Sequence, residues 1–171
     1  MLGSAERLCC SQANRQVFYY SNIAPQDSRS FNTGGGAWNN LEDKVDDFVV
    51  ADTLYEVIGC YFERYVDSYG NVSNPQTISF GGRNDVSKPT MFYYALLRTK
   101  AGNSGKAVIN CSASELQCVA FVISHTMEKG HEPGVKDMMS ISKLEELTGF
   151  TYFPNVPNAP KDTYTPSDWG L

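Results

Sequence analysis

Histidine is scarce in this chain: His125 and His131 are the only two in 171 residues. Together with five cysteines whose spacings match no zinc knuckle, that scarcity excludes a Cys/His zinc module. The cysteine count is odd, so the thiols cannot all pair within one chain. Cys9 and Cys10 are neighbours and poorly placed to bridge each other. Cys111 and Cys118 flank a turn and could pair, and the plainer expectation is thiols that are buried or unpaired. Positive charge is also short. Fourteen Lys and Arg stand against nineteen Asp and Glu, for a net charge of −5. That balance excludes tight nucleic-acid binding driven by charge alone. No run is long and apolar enough to cross a bilayer, so no membrane partner is expected. No basic start followed by an apolar stretch marks a signal peptide. No internal repeat or low-complexity tract is present.

What remains is an ordinary globular composition, 42% hydrophobic and 19% charged. The length suits a single domain, residues 1–171, able to bury a proper core. Residues 1–15 read as an irregular or partly helical approach. The aromatic and β-branched segment 17–21 reads as a short strand. Residues 36–51 read as the central helix, with Trp38, Leu41, Val45, Phe48 and Val49 on one face at three-to-four spacing. Strands are expected at 54–62, 91–100, 106–111 and 117–124, the last central because it is almost wholly apolar. Residues 64–87 read as a long loop or loose hairpin, and 101–105 as a turn. Ser142 and Glu145 form a capping box that would start a last helix, ended by Gly149. The four prolines of 150–171 call for an irregular wrapping tail. The sum is an α+β domain, a mainly antiparallel sheet with packed helices.

Residues 17–42, VFYYSNIAPQDSRSFNTGGGAWNNLE, organise the rest. Pro25 and a flexible Gly34, Gly35, Gly36 hinge separate three oxygen-bearing side chains. Asn22 comes from a strand end, Asn32 from a loop and Glu42 from the first turns of a helix. Oxygen donors gathered this way suit a hard cation such as Mg²⁺.

The stretch resembles the DNA/RNA non-specific endonucleases, nucleases with a ββα-metal (His-Me) finger. The matching residues are YYSNIAPQ at 19–26, FN at 31–32, GAW at 36–38 and LE at 41–42, against a family pattern Y-x-S-N-x-x-P-Q, N and G-x-W-x-x-L-E. Weaker likeness continues through 52–59, 86–94, 120–123 and 141–160. The resemblance implies a ββα-metal fold and hydrolysis of phosphodiester bonds in DNA and RNA with Mg²⁺ or Mn²⁺. Asn32 matches the direct metal ligand and Glu42 the residue that orients metal-bound water. Asn22 matches a site residue that holds the finger or touches the phosphate.

The chain departs from the family in three places. The catalytic D-R-G-H falls directly before Met1 in the alignment. The expectation is therefore a domain that is N-terminally incomplete, lacks its first finger strand and is inactive for want of the general base. The Asn32-to-Trp38 spacing is two residues wider than the family's. Asp46 stands where the family places a basic residue. His125 and His131 match no catalytic position, and core-edge or surface roles are expected of them. Alternatives are a non-catalytic binding module derived from a nuclease, or a gene remnant. The resemblance further implies DNA and RNA as weakly bound substrates and a periplasmic or extracellular setting. Phe18 and Tyr20, near an unpaired strand edge, suggest a homodimer.

Overall fold

The computed structural model describes residues 10–171 except 49, 101 and 103. Cys9 and Val49, and parts of the 1–15 and 101–105 segments, lie outside the described residues.

The centre is a four-stranded antiparallel sheet. Its strands are β1 (Tyr55–Tyr61), β6 (Met91–Thr99), β7 (Leu116–Ser124) and β8 (Met138–Met139), ordered β1-β6-β7-β8. β6 and β7 pair from Met91↔Ser124 to Thr99↔Leu116 and are buried almost throughout. A strand covered on both faces needs no polar alternation, which explains their continuous apolar runs. The two-residue period sorts their side chains. Phe92, Tyr94, Leu96, Val119, Phe121 and Ile123 face one core, under helix α2 (Ala37–Asp46). Tyr93, Ala95, Leu97, Cys118, Ala120 and Val122 face the other, under helix α3 (Ile141–Thr148).

α2 buries Trp38, Leu41 and Val45, the face expected from the spacing, and Phe48 follows it into the same core. Each large side chain removed from water here contributes about 1.5–3 kcal/mol. The tail returns to this core: Trp169 is 1% exposed, and the Arg98 guanidinium lies 4.3 Å over its ring.

Several local expectations are corrected. Residues 17–21 form no strand. Short helix α1 (Ser11–Gln16) runs into tight turns and the 3₁₀ segment Tyr20–Asn22. The amides of Val17, Phe18 and Tyr19 find carbonyls three residues back, so local bonding prevails over β propensity. Phe18, Tyr19 and Tyr20 are therefore exposed on a turn, not on a strand edge. Residues 106–111 hold a 3₁₀ turn, Val108–Asn110, closed by Asn110 N–H on Ala107 O and Cys111 N–H on Val108 O.

Residues 64–87 contain two hairpins. One pairs β2 (Tyr65–Val66) with β3 (Val72–Ser73), and the other pairs β4 (Gln76–Phe80) with β5 (Arg83–Lys88). Cap of α3 is Ser140, whose hydroxyl accepts from Lys143 N–H, while Ser142 lies inside the helix and donates to Asp162. Gly149 ends that helix in the left-handed region, as expected. Cys111 and Cys118 are buried free thiols and do not pair.

Candidate metal and catalytic site

The segment before α2 is a chain of backbone closures. Asn22 donates from Nδ2 to Val17 O at 2.9 Å, so its amide braces the aromatic turn that opens the segment. The carbonyl of Asp27 accepts from both Phe31 N–H and Asn32 N–H at 3.1 Å, which forms the π-type turn Ser28–Asn32. Within that turn adjacent residues part company. Phe31 is fully buried, and Asn32 is exposed, its side chain bonded to none of the described residues.

Phe31 secures the turn. Its ring lies 6.1 Å from Trp38, 5.0 Å from Phe92 and 4.5 Å from His125, centroid to centroid. The glycine run is sewn in place and is no loose hinge. Gly35 N–H donates to Asn39 Oδ1, and Gly35 O accepts from Gly130 N–H. A Cβ on Gly36 would lie 2.4 Å from Phe31 O, so the close passage of turn and helix requires glycine there.

α2 then delivers Glu42. Trp38 is wholly buried and stacks on Tyr94 at 5.0 Å, and its indole Nε1–H donates to Glu42 Oε1 at 2.7 Å. The half-buried Glu42 is thus held by the residue one turn back. That i, i+4 spacing was visible in the sequence. That Trp38 would turn its donor toward Glu42 depended on how its ring packed. Asn32 and Glu42 come from consecutive elements joined by the Phe31–Trp38 stack, whereas Asn22 sits at the far end of the segment, its amide donating to Val17 O.

The donor set is one amide oxygen and one carboxylate. Among the described residues no group of three or more His, Cys, Asp and Glu gathers at one point. Hard oxygens in small number fit a cation that keeps most of its water, and argue against a zinc cage.

His125 is not available as a base. Its ring is 3% exposed; Nε2 accepts from Asp27 N–H at 3.0 Å and Nδ1 donates to Pro89 O at 2.7 Å. Burial, first, and then the nearby Lys88 hold its pKa below the ordinary histidine value, against the opposing pull of Pro89 O and Asp27. It is the core-edge histidine that was expected, with the added job of pinning the π-turn to the strand ends. His131 bonds Asp137 through Nε2 at 3.0 Å.

The family model for DNA/RNA non-specific endonuclease matches residues 1–159. This chain belongs to that family. Over 159 residues this chain is 26% identical to the human (Homo sapiens) protein named nuclease EXOG, mitochondrial, covering 85% of this chain and 36% of that one. Among solved structures it resembles EndoG in its complex with EndoGI, with a TM-score of 0.69 and 19% identity over 96% of this chain and 61% of that one. At that identity the likeness speaks for the fold, an α+β fold of the ββα-metal nuclease type. The chain spans about a third of the curated relative's length. Its family is one of metal-dependent nucleases.

Proposed function

We propose that this chain is the core of a nuclease that uses Mg²⁺, or Mn²⁺ in its place, to hydrolyse phosphodiester bonds in DNA and RNA. The observation that carries the reading is the Trp38–Glu42 bond on the helix that directly follows the exposed Asn32. It orients a carboxylate on the element that follows an amide oxygen bonded to no described residue. When bound, the cation supplies positive charge for the pentacovalent phosphate and the leaving oxygen. Asn32 offers the direct oxygen ligand. Glu42, fixed by the indole, accepts hydrogen bonds from water and orients it. Asn22 braces the start of the segment and matches, in sequence, the family asparagine that holds the finger or touches the phosphate.

The base expected from the family is the histidine of D-R-G-H, and no D-R-G-H occurs in these 171 residues. Loss of a general base costs on the order of 10²–10⁴-fold in rate. The test is plasmid nicking by the 171-residue chain and by the same chain extended at its amino terminus with the D-R-G-H segment. Slow cleavage in the first, faster cleavage in the second and loss of both with Asn32→Ala is the expected result. Equal rates from the two chains would refute the role given to the upstream histidine.

The net charge of −5 supports weak binding of DNA and RNA. A periplasmic or extracellular setting, and a homodimer built along the edge strand β1 in place of the 17–21 segment, complete the reading. Asp46, standing where the family places a basic residue, favours a second one: a nuclease-derived module that binds without cleaving. Titration with Mn²⁺ separates the two, since a module that has lost its chemistry also has no use for the ion.

A further inference from the structure

The loop after β7 holds polar side chains that the finger does not use. Asp137 is 2% exposed, and one of its carboxylate oxygens meets His131 Nε2 at 3.0 Å, the Tyr69 hydroxyl at 3.1 Å and Gly134 N–H at 2.8 Å. A buried carboxylate accepting from three donors takes the Nε2 proton of His131 and leaves Nδ1 facing outward, able to donate to an anion in the imidazolium form, which the same carboxylate pairs with. The imidazole lines a cavity of about 380 Å³ together with Lys129, Asn71 and Thr126.

Taken alone, the Asp137 cluster would only tie the β2–β3 hairpin to this loop. Its placement says more. Gly130 N–H donates to Gly35 O at 2.7 Å, and Asn40 donates from Nδ2 to His131 O at 3.0 Å. The Lys129 Cε lies 3.5 Å from the point where a Cβ on Gly35 would sit. The cavity is therefore stitched to the linker between Asn32 and the helix of Glu42. An ammonium, an imidazole, an amide and a hydroxyl are the groups that proteins turn toward backbone phosphates. Glu128 lines the same cavity and opposes an anion there.

We propose that this cavity holds a backbone phosphate of the substrate strand, outside the scissile position, with Lys129 and His131 as its principal contacts. The proposal rests on the nuclease reading and extends it from one phosphate to a tract of strand.

The test uses the whole chain, a fluorescent single-stranded oligonucleotide and anisotropy across a salt series, in EDTA and with Mn²⁺. In EDTA, Lys129→Gln weakens binding roughly tenfold and flattens the slope of log K against log salt by about 0.7. Glu128→Gln, an exposed change, tightens binding. His131→Gln weakens it as well. Inorganic phosphate competes with the oligonucleotide for the parent chain and less well for Lys129→Gln. If binding appears only with Mn²⁺, disappears in Asn32→Ala and is the same in the Lys129 and Glu128 variants as in the parent, the subsite is wrong and the nuclease reading stands. If the chain binds no oligonucleotide under either condition, both are wrong.

Discussion

His125 and Asp27, 98 positions apart, meet through one hydrogen bond of 3.0 Å from the Asp27 amide to the imidazole Nε2. The other ring nitrogen donates to Pro89 O, so a single neutral imidazole fastens the Ser28–Asn32 turn to the ends of two strands. A protonated ring could keep the second bond but would lose the first.

The consequence is a pH dependence with a definite sign. Folding holds the pKa of His125 below its ordinary 6.5, chiefly by burial. Below that pH the unfolded chain takes up a proton that the folded chain refuses, so stability is complete above about 6.5 and declines as pH falls from there toward the folded value. Urea titrations at steps from pH 7.5 downward should show that decline, with a smaller one in His125→Gln than in His131→Gln. Equal slopes in the two variants would remove His125 from the account.

Trp38 serves two purposes that one substitution can separate. Trp38→Phe keeps a ring in the stack with Phe31 and Tyr94 and deletes the donor to Glu42. The expected cost in stability is about 1–2 kcal/mol. The expected loss in Mn²⁺ affinity, read by electron paramagnetic resonance, is at least about tenfold, because the Glu42 carboxylate loses the indole donor that orients it. Unaltered Mn²⁺ binding would mean that the indole does not serve the site.

Gly36 and Gly34 make a matched pair. A Cβ at Gly36 would meet Phe31 O at 2.4 Å and Thr33 O at 2.8 Å, whereas at Gly34 the nearest atom is Asn39 Oδ1 at 4.0 Å. Gly36→Ala should cost about 1–3 kcal/mol, as overpacking does, and weaken Mn²⁺ binding through the shifted turn. Gly34→Ala should stay within about 0.5 kcal/mol of the parent. Similar denaturation midpoints for the two variants would contradict the close passage.

The thiols should behave as separate groups. Cys118 is 1% exposed, and burial pushes its thiol up to about 12, so it carries almost no thiolate near neutrality. Cys111 is buried and donates weakly to Ser104 Oγ and Ala107 O, while Cys10 is exposed. A thiol reagent should label Cys10 in the native chain and reach Cys111 and Cys118 only after denaturant. A peptide map showing Cys111 joined to Cys118 would overturn this.

Much of the architecture was legible from pattern. The apolar run of β7 announced a central strand, residues 91–100 announced the strand β6, the spacing of Trp38, Leu41 and Val45 announced the buried stripe of α2, and Gly149 announced the end of α3. These signals are periodic and local, so they survive without knowledge of neighbours. Residues 17–21 misled for the opposite reason: strand-forming residues become a strand only where another strand offers its ladder. The order of Asn22, Asn32 and Glu42 was likewise in the text of the chain, and so was their kind, oxygen donors suited to a hard cation. Which way each side chain faces was not. Burial of Phe31 beside an exposed Asn32, the turn of the Trp38 indole onto Glu42 and the reach of His125 to Asp27 all depend on atoms distant in sequence competing for the same space, and only the packed structure resolves that competition.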